Sequence, residues 1–181
     1  MNTQIVEAFP FASSGGLSSV ENQSREDVLD SHLDPARWQP EPNGKGAKEA
    51  SVRFAGYAAL FDREDRGGDI IRRGAFARAI TAWRGRKVPL LWQHKPDAPI
   101  GMIESMSEDA RGLRVIGQVR ADAPGAAAKL LKQGQVNGLS FGYRVTRADG
   151  AAPRVLKDLD LVEVSLVTYP MQPGARVHAV E

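Results

Sequence analysis

Gly138-Leu139-Ser140-Phe141-Gly142 has the spacing G-x-S-x-G, and the residues after it decide the fold. In α/β-hydrolases this pattern marks a strained turn from a strand into a helix, with the serine hydroxyl at the helix N-terminus. Here the chain continues as Tyr143-Arg144-Val145-Thr146, aromatic and β-branched residues that favour a strand. No helix begins where the elbow needs one, so the formal order Ser140, Glu163, His178 does not describe a hydrolase triad. As a strand, the stretch puts Ser140 on one face with Gly138 and Gly142, and Leu139, Phe141 and Tyr143 on the other. Glycines weaken a strand and make sense where a ligand or another backbone comes close. Gly138, Leu139, Phe141 and Gly142 are therefore candidate substrate-binding positions for an extended peptide.

A serine hydroxyl becomes a nucleophile only beside a base, most often a histidine held by a third group. The chain has three histidines, His32, His94 and His178. His32 lies in a polar leader and His178 in the last few residues. His94 alone ends an apolar run, Val88-Pro89-Leu90-Leu91-Trp92-Gln93-His94. Alternation places it with Val88, Leu90 and Trp92, and Pro96 is expected to stop the strand. An imidazole at such a rim can titrate near neutrality, as a general base requires.

The run Asp158-Leu159-Asp160-Leu161-Val162-Glu163-Val164-Ser165-Leu166-Val167 holds a carboxylate in the middle of an apolar strand. A buried charge needs a partner. Two readings stand: Glu163 orients His94, with Ser165 as its hydrogen-bonding neighbour, or it pairs with an arginine. Asp158 and Asp160 are further candidate acids.

Composition narrows the chemistry. The absence of cysteine removes disulfides, thiolate nucleophiles and cysteine-ligated metals, and the histidines lack the paired spacing of a zinc helix. Neither a metal nor a cofactor is expected. No window approaches the roughly 18 apolar residues that span a bilayer, and the N-terminus lacks a secretory pattern, so an intracellular chain without membrane contact is expected. Residues 1–50 carry eight acids against four bases, a net −4, which leaves +6 on the rest of a chain whose total is +2. No basic block interleaves with aromatics, so no specific nucleic-acid partner is expected.

The domain is expected to begin at Ser51. Residues 1–50 are polar, acidic and aperiodic, and cannot bury enough surface to offset their ordering entropy. They read as a mostly disordered leader or pro-segment, with at most a short helix over Ser24–Leu33. A domain over 51–176 and a C-terminal tail over 177–181 follow. Phe76, Ala79, Ile80 and Trp83 form a helical stripe closed by Gly85. Asp122 and Pro124 open a second helix that Gly134 closes. The other apolar runs are strands, giving a strand-dominated α+β fold.

Four of these segments, Phe54-to-Asp62 (FAGYAALFD) with its following Gly-Gly-Asp and Gly-Ala-Phe, LLWQHKPDAPIG, NGLSFGY and LVEVSLVTYPMQPGA, occur in the order found in the prohead (procapsid maturation) proteases of tailed phages. The chain resembles that family from Val52 to Ala175. The resemblance implies a closed or partly open β-barrel flanked by a few helices, similar to herpesvirus assemblin. It implies a serine endopeptidase acting inside the assembling procapsid in the host cytoplasm. Its substrates would be scaffold or the N-terminal arm of the major capsid protein, and the enzyme itself; a homodimer is a further expectation. The family's serine falls on Ser140 and its histidine on His94; Glu163 is preferred as third member over His178. The oxyanion donors are sought in Gly-rich loops, including Arg147–Ala151. The rival reading is a non-catalytic capsid-assembly or scaffolding protein with the same barrel.

Overall fold

The computed structural model of the chain describes residues 51–181 and, by backbone alone, Ile5–Val6. The leader, including the helix expected over Ser24–Leu33, otherwise lies outside the described residues. Among the described residues nine strands form one sheet: β1 (Ile5–Val6), β2 (Val52–Leu60), β3 (Asp69–Ile71), β4 (Val88–Trp92), β5 (Lys95–Glu108), β6 (Gly112–Val119), β7 (Gly138–Asp149), β8 (Arg154–Val167) and β9 (Val177–Val180). The order is β1-β7-β8-β4-β5-β6-β2-β9, with β3 alongside β8. Among the described residues two short α-helices, α1 (Ala77–Ala82) and α2 (Ala127–Lys132), accompany it.

The sheet curls into a partial barrel because its far ends meet. The segment leading into β9 reaches the start of β7: Leu139 N–H donates to the Ala175 carbonyl at 2.9 Å and Val177 N–H to that of Asn137 at 2.8 Å. Residues 177–180, expected to lie in a tail, thus pair with β2 and extend the barrel wall.

The helical stripe holds. Phe76, Ala79 and Trp83 are buried, and Trp83 Nε1 donates to the Leu161 carbonyl at 2.9 Å, fixing α1 against β8. The N-terminal amides of α1 lack a local cap; instead Glu108, at the end of β5, accepts from Gly74 and Phe76 N–H. The second helix ends at Gly134, whose φ of +67° suits glycine. Asp122 makes no cap and pairs with Arg120.

One face of β7 supplies the core. Leu139, Phe141 and Tyr143 are buried among Leu90, Val164 and Leu166. Phe76 meets Phe141 edge-on at 5.3 Å, and Phe141 meets Tyr143 at 5.1 Å. Tyr143 Oη donates to buried Asp69, which also takes two hydrogen bonds from Arg154. Burial first, and then that carboxylate, hold the phenol well above its usual range. This network ties β3, β7 and β8 together at the end of the sheet away from Ser140.

Candidate active site

Register gathers the predicted residues. Strands β7 and β8 are antiparallel, with Ser140 opposite Ser165, Phe141 opposite Val164 and Gly142 opposite Glu163. Directly opposed residues have Cβ atoms about 4.5–5.5 Å apart on one face. Ser140, Gly142, Glu163 and Ser165 therefore share a face, opposite the Phe141–Val164 core face. Past Gly142 the register slips, leaving Val162 unpaired and bringing Leu161 opposite Tyr143. Such a bulge turns Leu161 to the core face, where unbroken alternation would place it on the face of Glu163.

His94 arrives differently from its strand-end reading. It is not a strand residue. Trp92 pairs with Lys95, and the two residues between, Gln93 and His94, have φ of +53° and +58°. Two consecutive positive φ values are the mark of a primed hairpin turn, normally built from Asn and Gly. Continued alternation would have put His94 on the core face with Leu90, which pairs with Val164; the turn carries it over to the Ser165 face. Pro96 does not stop the chain, because residues 96–98 bulge out between the pairs Trp92–Lys95 and Leu91–Pro99. A residue without N–H is tolerated in such a bulge.

This unfavourable turn is held from β8. Gln93 N–H donates to the Leu166 carbonyl at 3.1 Å. Gln93 Nε2 donates to Thr168 Oγ1 at 2.8 Å, and Thr168 N–H to Gln93 Oε1 at 3.3 Å. The imidazole then meets the acid: His94 Nδ1 lies 2.8 Å from Glu163 Oε1, with their side chains 13% and 4% exposed. Of the two readings of Glu163, the structure displays the histidine contact. Asp158 and Asp160 instead bind Arg78, and His178 sits in β9 with its ring against Tyr57.

The glycines have an internal explanation. A Cβ on Gly142 would lie 2.9 Å from Glu163 Oε1 and 3.2 Å from its Cγ. One on Gly138 would meet the Val167 carbonyl at 2.5 Å and the Pro170 ring at 2.8 Å. The close neighbours of both are thus the chain's own groups, where a bound peptide is the sequence expectation. Leu139 and Phe141 point into the core, 0% and 8% exposed, so only their main chain can face a bound peptide. Gly142→Ala is expected to push the Glu163 carboxylate off His94 and to lower kcat by about 10²-fold, the usual consequence of a misplacement near 1 Å. Peptidase assays beside thermal melts of the variant check this; unchanged kcat would show that Glu163 has room to spare.

The Arg147–Ala151 loop is too far away for an oxyanion hole. Strand β7 continues to Asp149, and at about 3.3 Å per residue Arg147 lies roughly 20 Å along it from Ser140. Among the described residues no group of three or more His, Asp or Glu could hold a metal ion, and no helix is long and apolar enough to cross a membrane.

Residues 41–181 match the sequence model of a family described as caudovirus prohead serine protease. The prohead protease of Enterobacteria phage HK97 is 36% identical over 135 residues, 71% of this chain and 60% of that protein. The prohead protease of Escherichia phage T5 is 29% identical over 128 residues, 68% of this chain and 60% of that protein. The chain thus spans about 60% of the length of each curated relative. The bacteriophage T4 capsid assembly protease superposes with a TM-score of 0.53 at 12% identity, over 65% of this chain and 82% of that one. Varicella-zoster virus protease does so with a TM-score of 0.51 at 18% identity, over 73% and 64%. At such identities the likeness is one of fold, and that fold is assemblin-like.

Proposed function

The chain belongs to the caudovirus prohead serine protease family, and from that premise we propose that it is a serine endopeptidase of procapsid maturation with Ser140, His94 and Glu163 as its catalytic residues. Its substrates are scaffold or the N-terminal arm of the major capsid protein, cut inside the assembling procapsid in the host cytoplasm. The observation that carries the reading is the 2.8 Å contact between His94 Nδ1 and Glu163 Oε1 on the face where Ser140 pairs with Ser165.

With Nδ1–H directed at the carboxylate, the lone pair of Nε2 is the base. It takes the Ser140 hydroxyl proton as Oγ bonds to the scissile carbonyl carbon, and the carbonyl electrons move onto oxygen. Glu163 stabilises the imidazolium without taking its proton. The imidazolium then protonates the departing amine as the C–N bond breaks. Water, deprotonated by the same nitrogen, releases the acyl group and restores Ser140.

The peptide binds by main-chain pairing along β7. The outer edge of β7 is occupied at Leu139 by Ala175 and at Tyr143–Arg144 by Ile5–Val6. Between these lies Ser140–Gly142, where Phe141 offers its backbone.

Co-expression with its cognate major capsid protein tests the function. The enzyme is expected to shorten that protein, and Ser140→Ala to leave it at full length in assembled particles. Equal processing by the variant would favour the non-catalytic assembly protein.

A further inference from the structure

Ser165 is fully buried, at 0% exposure, in a strand that carries the acid on the same face. Its hydroxyl has one proton and uses it on Glu163 Oε2, at 2.6 Å. A lone pair of the same oxygen accepts the backbone N–H of His94 at 3.2 Å. One hydroxyl thus touches both partners of the acid–base pair: the carboxylate through its second oxygen, and the histidine through its main chain. The directions agree, since a carboxylate can only accept and an amide N–H can only donate.

We propose that Ser165 is the positioning residue of this site, joining the Glu163 carboxylate to the His94 turn so that the two move as one unit. The proposal rests on the catalytic reading above and adds a member to it. Two constraints follow from the geometry. First, with Oε2 committed to Ser165 and Gly142 closing the space beside Oε1, the carboxylate cannot rotate and presents Oε1 to Nδ1. Secondly, His94 stands on a turn whose positive φ values are disfavoured for a residue with a Cβ; its amide would be left without this acceptor if the hydroxyl were removed. The Gln93–Thr168 pairing holds the turn from its outer side, and Ser165 holds it from beneath. No local signal does this work, because Ser165 lies 71 positions from His94 in the chain.

Ser165 does not touch the reacting atoms in the mechanism above, so its loss should lower kcat and leave KM unchanged. A hydrogen bond to a charged group sets the scale, a fall of about 10- to 100-fold in kcat. A separate readout needs no peptidase activity at all. An imidazole Nδ1–H held by a carboxylate gives a far-downfield proton resonance that exchanges slowly. In the resting full chain this signal is expected for His94, identified by its absence in His94→Ala. In Ser165→Ala and in Ser165→Cys, which keeps nearly the same volume but donates poorly, it should broaden or move upfield while the melting curve stays cooperative. If alanine unfolds the domain, the cysteine variant carries the comparison. An unaltered resonance in a folded Ser165 variant, or an unaltered kcat, would overturn the positioning role. If instead the resonance responds but neither the parent chain nor any variant cleaves capsid protein, the positioning role stands and the protease reading falls.

Discussion

Ser140→Ala is expected to lower kcat for peptide cleavage on the order of 10⁶-fold, the loss seen when a serine nucleophile is removed from a working triad. The fold should survive it. Ser140 is 4% exposed, near the start of β7, with its opposite number Ser165 held by other groups. Alanine removes one hydroxyl from a strand position without leaving a buried charge behind. The expected stability change is about 1 kcal/mol. His94→Ala should cost nearly as much activity, and the double variant little more than either, because members of one catalytic unit are not additive. Single-turnover assays on a capsid-derived peptide, run beside melting curves of the three variants, check all of this. Additive losses would mean that the two residues act separately.

Glu163→Gln is expected to be nearly as severe, on the order of 10⁴-fold in kcat, with the fold again retained. The magnitude follows the worked serine-protease case in which amide replaces carboxylate, and this site's own bonds supply the reason. Ser165 donates its proton to Oε2 and needs an acceptor there. In the glutamine variant the amide oxygen takes that place, which turns the NH2 group toward His94 Nδ1. Facing a donor, Nδ1 must give up its proton, and the proton moves to Nε2. The nitrogen that should accept from Ser140 then carries a hydrogen, and the imidazolium loses its counter-charge. Loss of less than tenfold would show that Glu163 is a structural partner of the histidine and no more.

These expectations draw on residues whose legibility in the sequence differs. The GLSFG stretch was readable as a strand because Tyr143, Val145 and Thr146 follow it, and it is β7. Glu163 stood out because a carboxylate in an apolar run must find a partner. Which partner was not readable, since the answer depends on how parallel β4 and β8 lie together. The turn at Gln93–His94 was invisible for a plainer reason: neither residue is one that turns with positive φ favour, and the conformation is imposed by bonds from Thr168, Leu166 and Ser165. The glycines were noticed as places of close approach, but the approaching groups turned out to be Glu163 and Pro170. Alternation also failed where bulges intervene, at Val162 and at residues 96–98. A bulge is a property of the pair of strands and not of either alone.

The central claim is that the Ser140 hydroxyl is made nucleophilic by His94, and active-site labelling tests it most directly. The purified chain is incubated with a fluorophosphonate, which phosphonylates a serine only when a base has activated it, and the adduct is mapped by peptide mass spectrometry. A single adduct on Ser140, absent in Ser140→Ala and strongly slowed in His94→Ala, is the predicted result. A folded chain that stays unlabelled, or labelling of Ser140 that proceeds at the same rate without His94, would contradict it.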